Sequence, residues 1–285
     1  MHFAFTAQIY GFLFVLTSFL FFFNRNICLG PKYSVTLPRH FNIIRNMNYN
    51  ELNFQGLQAQ RQWDVAEAFP VLMRKVYVWM TLALAITGFT AYGVATSPGI
   101  LQAIYGNQVI MWVLVIAELA LVFGVNAAIN RISLTTATLM FILYSVINGA
   151  LFSSIFLIYT ASSIATVFFI TAGTFGVMAL IGYTTKTDLS SMGKIFFMAL
   201  IGMIIATIVN LFVKSDGLMT ILSYVGVLIF VGLTAYDTQR IKNMLLEAPD
   251  ASEGAQKIAL LGALALYLDF INLFIYLLRI FGRKE

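Results

Sequence analysis

Charged residues are scarce in this chain of 285 residues. Lys, Arg, Asp and Glu together make up 10% of the chain, whereas hydrophobic residues make up 60%. A typical soluble domain carries about 25% charged residues, and a soluble globule with so few polar side chains could not cover its apolar surface. The mean hydropathy of +0.87 points the same way. The composition therefore predicts a polytopic membrane protein.

Cysteine and histidine are almost absent, which excludes several kinds of site. The one cysteine, Cys28, permits neither an internal disulfide nor a multi-cysteine zinc site. Both histidines, His2 and His40, precede the main apolar block, so we expect no histidine-based metal site or proton relay in the membrane. No glycine-rich phosphate loop and no basic run for nucleic acid is present. With no nucleophile and base paired in the spans, we expect no enzyme activity and no cofactor.

Seven apolar runs follow residue 75, and each is long enough for a membrane helix, which needs about 20 residues. They cover residues 76–95, 109–128, 135–159, 162–183, 194–213, 219–240 and 257–281. The connections between them are short, so sequential helices should be antiparallel neighbours. Because backbone polar groups in lipid need internal partners, we predict an all-α fold, a seven-helix transmembrane bundle.

An eighth apolar run, residues 3–23, stands apart at the N-terminus. It lacks the positively charged start and the small-residue cleavage site of a secretory signal. Two interpretations are open: an extra N-terminal hydrophobic helix, or a chain whose synthesis begins at Met47. The predicted organisation is a hydrophobic extension of unassigned role (1–46), a cytoplasmic leader (47–75) and a seven-helix membrane domain (76–285).

The distribution of basic residues predicts the orientation of the bundle. Thirteen of the 17 lysines and arginines lie in residues 24–75 or in the loops after spans two, four and six. Because basic residues accumulate on the cytoplasmic side, we expect the N-terminal side of the bundle to be cytoplasmic. An odd number of crossings then puts the basic tail, with Arg283 and Lys284, on the other side. A last helix that re-enters instead of crossing is the alternative.

Four of the charged side chains in or at the ends of the spans stand out. A charge inside a span costs about 2.5–3.5 kcal/mol on insertion scales, so each is a functional candidate. Glu118 lies in span two and Arg131 at its end, Asp237 lies toward the end of span six, and Asp269 lies midway along span seven. Asp269 is the deepest, roughly 18 Å along its helix. For Glu118 and Arg131, packing or snorkelling to the interface is an equal alternative.

The two aspartates are expected to meet. Asn272 follows Asp269 by three residues and so shares its helix face, and Thr234 precedes Asp237 by three residues and shares its face likewise. Spans six and seven should form a hairpin because their connection is short. Measured from that turn, however, Asp237 and Asp269 differ in depth by roughly 10 Å. An asymmetric loop or a broken helix would have to close this offset.

A buried pair of carboxylates has a definite chemistry. Two such groups in a dry site cannot both ionise cheaply, so they share a proton and respond to pH as a pair. Carboxylate oxygens also suit hard divalent cations, which makes Asp237 and Asp269 candidate calcium ligands. Arg131 could instead neutralise one carboxylate. A further alternative is that Asp237 simply pairs with Arg240, three residues on.

Four strings of residues carry a resemblance to a known family. They are Met73-Arg-Lys-Val-Tyr-Val-Trp-Met, Gly182-Tyr-Thr-Thr-Lys-Thr-Asp188-Leu-Ser, Gly232-Leu-Thr-Ala-Tyr-Asp237-Thr-Gln-Arg240-Ile and Leu266-Tyr-Leu-Asp269-Phe-Ile-Asn272-Leu-Phe. On these strings the chain resembles the bacterial form of the Bax inhibitor-1 family, the transmembrane Bax inhibitor motif proteins. The resemblance covers about residues 70–285 and leaves residues 1–46 unmatched.

The resemblance implies a fold and a function. It implies a seven-helix bundle whose last helix is central, and a pH-sensitive calcium leak in which Asp237 and Asp269 form the sensing pair. It further implies an arginine from span two that opposes the pair, by position Arg131. Glu118 corresponds loosely to an acidic residue in the same span. Members of the family are also linked to the regulation of a membrane-bound protease and to the suppression of stress-induced death.

Two functional hypotheses follow. The first is a proton-gated calcium leak in a cell membrane, a bacterial inner membrane, with the lipid bilayer, calcium and protons as its partners. The second is a modulator of a membrane-bound protease or stress response that acts by protein contact and moves no ions. Its contact would lie in the leader, around Arg61, Trp63 and Asp64. A proton-coupled transporter is less favoured, because no broken pair of spans marks a substrate site.

Overall fold

The computed structural model describes residues 15–21, 54–248 and 251–284, with side chains from residue 67 onward in the second range. Most of these residues are helical and none of them lies in a strand, which confirms the all-α prediction. The elements are α1 (Phe54–Ala95), α2 (Pro98–Tyr105), α3 (Gln108–Ala128), α4 (Leu134–Phe152), a 3-10 helix (Ser153–Leu157), α5 (Ala161–Thr184), α6 (Ser190–Val213), α7 (Asp216–Leu246) and α8 (Glu253–Phe281). A separate helical stretch covers residues 15–21.

Seven helices in the described part of the chain are long and apolar enough to cross a membrane, and they match the seven predicted spans. Several run further than the apolar runs do. The first spans Glu67–Ala95 and passes through Pro70, and the last begins at Glu253. A helix continues past the hydrocarbon core wherever its backbone hydrogen bonds remain satisfied. Hydropathy alone therefore marks the apolar centre of each helix and misses its polar ends.

Polar side chains define where several of these helices begin. The side chains of Asn107, Ser133 and Ser215 each precede a helix and accept a hydrogen bond from a backbone N–H in its first turn. Such caps satisfy donors that have no partner inside the helix. The short connections seen between the apolar runs are therefore also the capping segments from which α3, α4 and α7 begin.

The last helix, α8, is the centre of the bundle, as expected. In its most apolar stretch 94% of the residues are buried, against 22% to 50% in the other six helices. It packs against α1, α4, α5 and α7. Phe270 and Phe274, on the side of α8 away from its polar stripe, are buried as well. A helix that is apolar all round is expected in such a central position.

Glycines let the outer helices approach α7 closely. At Gly182 of α5 a Cβ atom would overlap the backbone carbonyl of Ala235 on α7. At Gly232 of α7 it would overlap the ring of Phe196 on α6. Helices in lipid associate through close packing of small residues. These two contacts therefore fix α5 and α6 against α7, the helix that carries Asp237.

The helical stretch 15–21 also packs against the bundle. The rings of Phe19 and Phe197 of α6 are stacked, with centroids 5.2 Å apart. The rest of the predicted extension, residues 1–14 and 22–46, lies outside the described residues, so the structure bears on the extra N-terminal helix only over this stretch. Over that stretch the apolar run is helical and buried against the membrane domain.

Candidate functional site

Asp237 and Asp269 line one cavity in the core of the bundle. Both side chains are buried, with exposed fractions of 4% and 5%. The cavity is lined by Ser18, Phe21, Leu200, Leu233, Asp237, Ala265, Leu268 and Asp269. Its volume is about 10 Å³, about the least that holds one water molecule. The structure therefore brings the two predicted residues to the same small space.

The two helices reach this cavity without a break. Both α7 and α8 are continuous helices. A broken helix therefore does not account for the depth offset expected between Asp237 and Asp269. Close packing is possible because Gly262 of α8 faces Ile241 of α7, where a Cβ atom would lie only 3.0 Å from the Ile241 Cγ2 atom. The hairpin predicted from the short connection is thus a tightly packed helix pair.

The polar residues beside the aspartates are buried too. The Thr234 hydroxyl donates to the carbonyl of Phe230 at 2.7 Å, which satisfies it within α7. The Asn272 Nδ2 atom donates to the Leu268 carbonyl at 2.9 Å and to the Ser18 hydroxyl at 2.6 Å. Asn272 is therefore a polar contact beside the cavity, whereas Thr234 has a local structural role.

The walls of the cavity determine its chemistry. Among the described residues, the other side chains that line it are apolar or, at Ser18, an uncharged hydroxyl. In apolar surroundings two neighbouring negative charges repel each other strongly. A proton shared between the carboxylates, or a cation beside them, would relieve that cost. The arrangement is thus able to bind a proton or a cation.

Arg131 is the predicted site residue that the structure does not bring to the pair. Its side chain is exposed in the turn between α3 and α4, and its backbone N–H donates to the Ala128 carbonyl at 2.7 Å. Among the described helices α3 packs mainly on α2 and α4, at the edge of the bundle. Arg131 is thus not among the described residues that line the cavity, and its opposition to the aspartates stays a prediction. The alternative pairing of Asp237 with Arg240 stays a prediction.

Glu118 belongs to a second buried polar cluster. Its side chain is 2% exposed, and Oε1 accepts a hydrogen bond from Asn148 Nδ2 at 3.3 Å. The Tyr267 hydroxyl of α8 is 2.7 Å from Thr87 Oγ1, which in turn donates to the Ser145 carbonyl at 3.0 Å. These contacts join α1, α3, α4 and α8. Glu118 is therefore buried in the core, but it lies outside the cavity that the aspartates line.

Replacing Tyr267 by Phe tests how much this second cluster stabilises the bundle. The change removes one buried hydroxyl and its bond to Thr87, so we expect the free energy of unfolding to fall by about 1 kcal/mol. Unfolding in detergent, followed by circular dichroism, measures it. Tyr224→Phe is the matched control, because that side chain is 57% exposed. Equal stability of the two variants would contradict a structural role for the Tyr267 hydroxyl.

Two of the strings that carry the resemblance contact each other. Gln239 of α7 donates from Nε2 to the Thr187 carbonyl at 2.7 Å and accepts from the Leu189 N–H at 2.8 Å. In the same loop Asp188 accepts from the Ser190 N–H, and the Ser190 hydrogen bonds lower the pKa of the Asp188 carboxyl. Sequence reasoning missed the role of Gln239, although its place in a string that matches the family was a signal.

The fold and the buried acidic pair define a class: a multi-pass membrane protein with seven helices around a central last helix and two carboxylates in its core. The family model described as "Inhibitor of apoptosis-promoting Bax1" matches residues 70–285. The chain therefore belongs to the Bax inhibitor-1 family, which confirms the resemblance read from the four strings.

Curated relatives agree with this assignment. The chain is 50% identical over 215 residues to "Inner membrane protein YbhL" of Escherichia coli K12, a match that covers 75% of this chain and 92% of the relative. An uncharacterized protein of Borreliella burgdorferi is 44% identical over 213 residues, again 75% of this chain and 92% of the relative. An uncharacterized membrane protein of Streptococcus pyogenes serotype M1 is 36% identical, over 74% and 92% respectively.

Proposed function

We propose that this protein is a pH-sensitive cation leak, that calcium is the ion it conducts, and that Asp237 and Asp269 gate it. The observation that supports the proposal is the shared cavity, where two buried carboxylates lie between α6, α7 and α8. Their shared surroundings couple them, because the charge on one changes the cost of ionising the other. The proposal assigns no catalytic reaction to the chain.

Protonation selects between two states in this proposal. With a shared proton the pair carries less charge, the helices pack as described, and the cavity of about 10 Å³ admits no hydrated ion. When the proton leaves, repulsion between the carboxylates favours separation of α7 and α8. The same charge then attracts a cation. Flux therefore rises as pH rises.

In this proposal calcium binds the site only weakly and briefly as it is conducted. Carboxylate oxygens are ligands that calcium prefers, but a tight site supplies about six to eight oxygens. Among the residues that the structure describes, no three or more His, Cys, Asp or Glu side chains group together to hold a metal. Two carboxylates with water and backbone oxygens suit brief occupancy, which conduction requires. In this proposal calcium is the transported ion.

The membrane and the orientation are part of the proposal. The Escherichia coli relative is named an inner membrane protein, and we place this chain in the corresponding membrane. The excess of basic residues on one side of the bundle supports a cytoplasmic position for its N-terminal side. The cavity, near the cytoplasmic end of α7, then receives protons from the cytoplasm.

Calcium flux in liposomes tests the proposal. The purified protein is reconstituted with an indicator dye inside, and external calcium is added at values from about pH 5 to about pH 8. We expect calcium entry to exceed that of protein-free liposomes and to increase with pH. Entry equal to that of protein-free liposomes at every pH would contradict a leak.

The second hypothesis, contact with a membrane-bound protease or stress-response partner, stays a prediction. Its proposed contact residues, Arg61, Trp63 and Asp64, lie where the described structure includes the helical backbone of α1 but not the side chains. The liposome experiment separates the two hypotheses, because a modulator that acts only by protein contact conducts no ion there.

A further inference from the structure

The helical stretch 15–21 forms part of the wall of the carboxylate cavity. Ser18 and Phe21 line the cavity together with Asp237 and Asp269. Val15, Ser18 and Phe21 are buried, with exposed fractions of 0%, 6% and 3%. Their spacing of three residues puts them on one face of a helix. One face of this stretch is therefore turned toward the aspartates.

The stretch lies where the bundle leaves room. Among the described elements α6 packs against α7 and stands off from α8, whereas α7 and α8 pack along their lengths. We call the space between α6, α7 and α8 the α6–α8 slot, and residues 15–21 lie in it. Phe19 stacks on Phe197 of α6, and the two rings are inclined by only 11°. On the other side of the slot the stretch contacts α8.

A hydrogen bond fixes the stretch on the central helix. Asn272 is completely buried in the middle of α8, and its Nδ2 atom donates to the Ser18 hydroxyl at 2.6 Å. A buried amide that lacks one of its partners is costly in apolar surroundings. Ser18 supplies an acceptor at this position, so the contact is specific in a way that apolar packing alone is not.

The stretch is an addition to the part of the chain that the family shares. The family model begins at residue 70, and the match to the Escherichia coli relative covers 92% of that protein but 75% of this chain. The helices α6, α7 and α8 lie inside the range of the family model, and residues 15–21 precede it. The slot therefore belongs to the family fold, and its occupant belongs to this chain.

We propose that the α6–α8 slot is a helix-docking surface, that residues 15–21 of the same chain occupy it, and that docking closes the cavity of the aspartates. With Ser18 and Phe21 in place the cavity is about 10 Å³, too small for calcium with its oxygen ligands. Displacement of the stretch enlarges the cavity toward α6. The claim that docking closes the cavity does not require the protein to transport ions. The effect of docking on calcium flux rests on the proposed function.

Cross-linking tests the docked position in the full chain. In a Cys28→Ser background, Phe19→Cys and Phe197→Cys are combined in membranes and treated with a short bifunctional maleimide. We expect an intramolecular product, because the two rings are in contact. The matched control pairs Phe19→Cys with Phe212→Cys, which lies 15 residues further along α6, or about 22 Å away. Absence of the first product, or equal yield of both, would overturn docking.

Carboxyl labelling tests closure without measuring transport. A hydrophobic carbodiimide reacts with protonated carboxyls in the membrane, and mass spectrometry quantifies its adducts at Asp237 and Asp269. Phe21→Asp puts a further carboxylate on the docked face and should displace the stretch, with a several-fold faster labelling of both aspartates. The control is Phe281→Asp, because Phe281 is 57% exposed at the end of α8. It should leave the rate unchanged.

A milder variant and a flux measurement complete the design. Ser18→Ala removes only the acceptor for Asn272, so it should label at an intermediate rate and still fold. If Phe21→Asp abolishes the cross-link but leaves labelling unchanged, closure is wrong. If labelling accelerates while no variant conducts calcium above protein-free liposomes, the proposed leak fails and the docking surface stands.

Discussion

Replacing Asp269 by Asn is expected to remove the pH dependence of calcium flux. The amide is close to the carboxyl in size but carries no titratable proton, so Asp237 no longer shares one with it. The site then behaves as the protonated pair at every pH. At about pH 8 we expect flux at least about tenfold below that of the parent, which corresponds to about 1.4 kcal/mol. Liposome flux across the same pH range measures it.

The control for this experiment is a second Asp-to-Asn change on the same hairpin. Asp216 is exposed at the start of α7, away from the cavity. Asp216→Asn should keep the rise of flux with pH, whereas Asp237→Asn should lose it as Asp269→Asn does, because either neutral partner ends the coupling. A pH profile of Asp269→Asn that coincides with that of the parent would exclude the pair as the gate.

The substitution Gly182→Ala is expected to have the largest effect on folding. The added methyl group would overlap the backbone carbonyl of Ala235, and a backbone atom cannot move aside as the end of a side chain can. The helices α5 and α7 must then separate. Overpacking costs about 1–3 kcal/mol, and we expect the upper end of that range here. Unfolding in detergent and the folded fraction on size exclusion measure it.

The same helix offers a matched control. Gly176 also lies in α5, but a Cβ atom added there meets no atom within 4 Å. Gly176→Ala should therefore leave stability unchanged or raise it slightly, since Ala favours a helix over Gly. If both variants unfold alike, the close approach of α5 and α7 at Gly182 does not hold the bundle together.

Hydropathy was enough to predict the seven spans, but it could not identify the central helix. Each span needed only length and composition, and all seven runs reappear as helices. The helix buried most completely, α8, is less apolar than α6, of which only 28% of the most apolar stretch is buried. A lipid-facing surface and a packed surface are both apolar in a membrane protein. The central position of α8 came from the resemblance to the family.

The candidate site was predictable where charge stood out against an apolar background. Asp237 and Asp269 could be identified because a carboxylate inside a span is costly and rarely has a purely structural role. Arg131 was harder to place, because a charge near the end of a span can face outward as readily as inward. Ser18 gave no signal at all, since one hydroxyl in an apolar run is ordinary. Its role depends on a contact with Asn272, 254 residues away in the sequence.

In the proposed gating, the two hydrogen bonds of Gln239 would link the carboxylates to a loop at the membrane surface. Gln239 follows Asp237 by two residues and holds the loop after α5 through two hydrogen bonds. Since α7 is one continuous helix, a rotation that carries Asp237 away from its neighbour must strain or break those bonds. The loop would then loosen when the carboxylates lose their shared proton. Molecules outside the lipid would thereby respond to the charge of the buried pair.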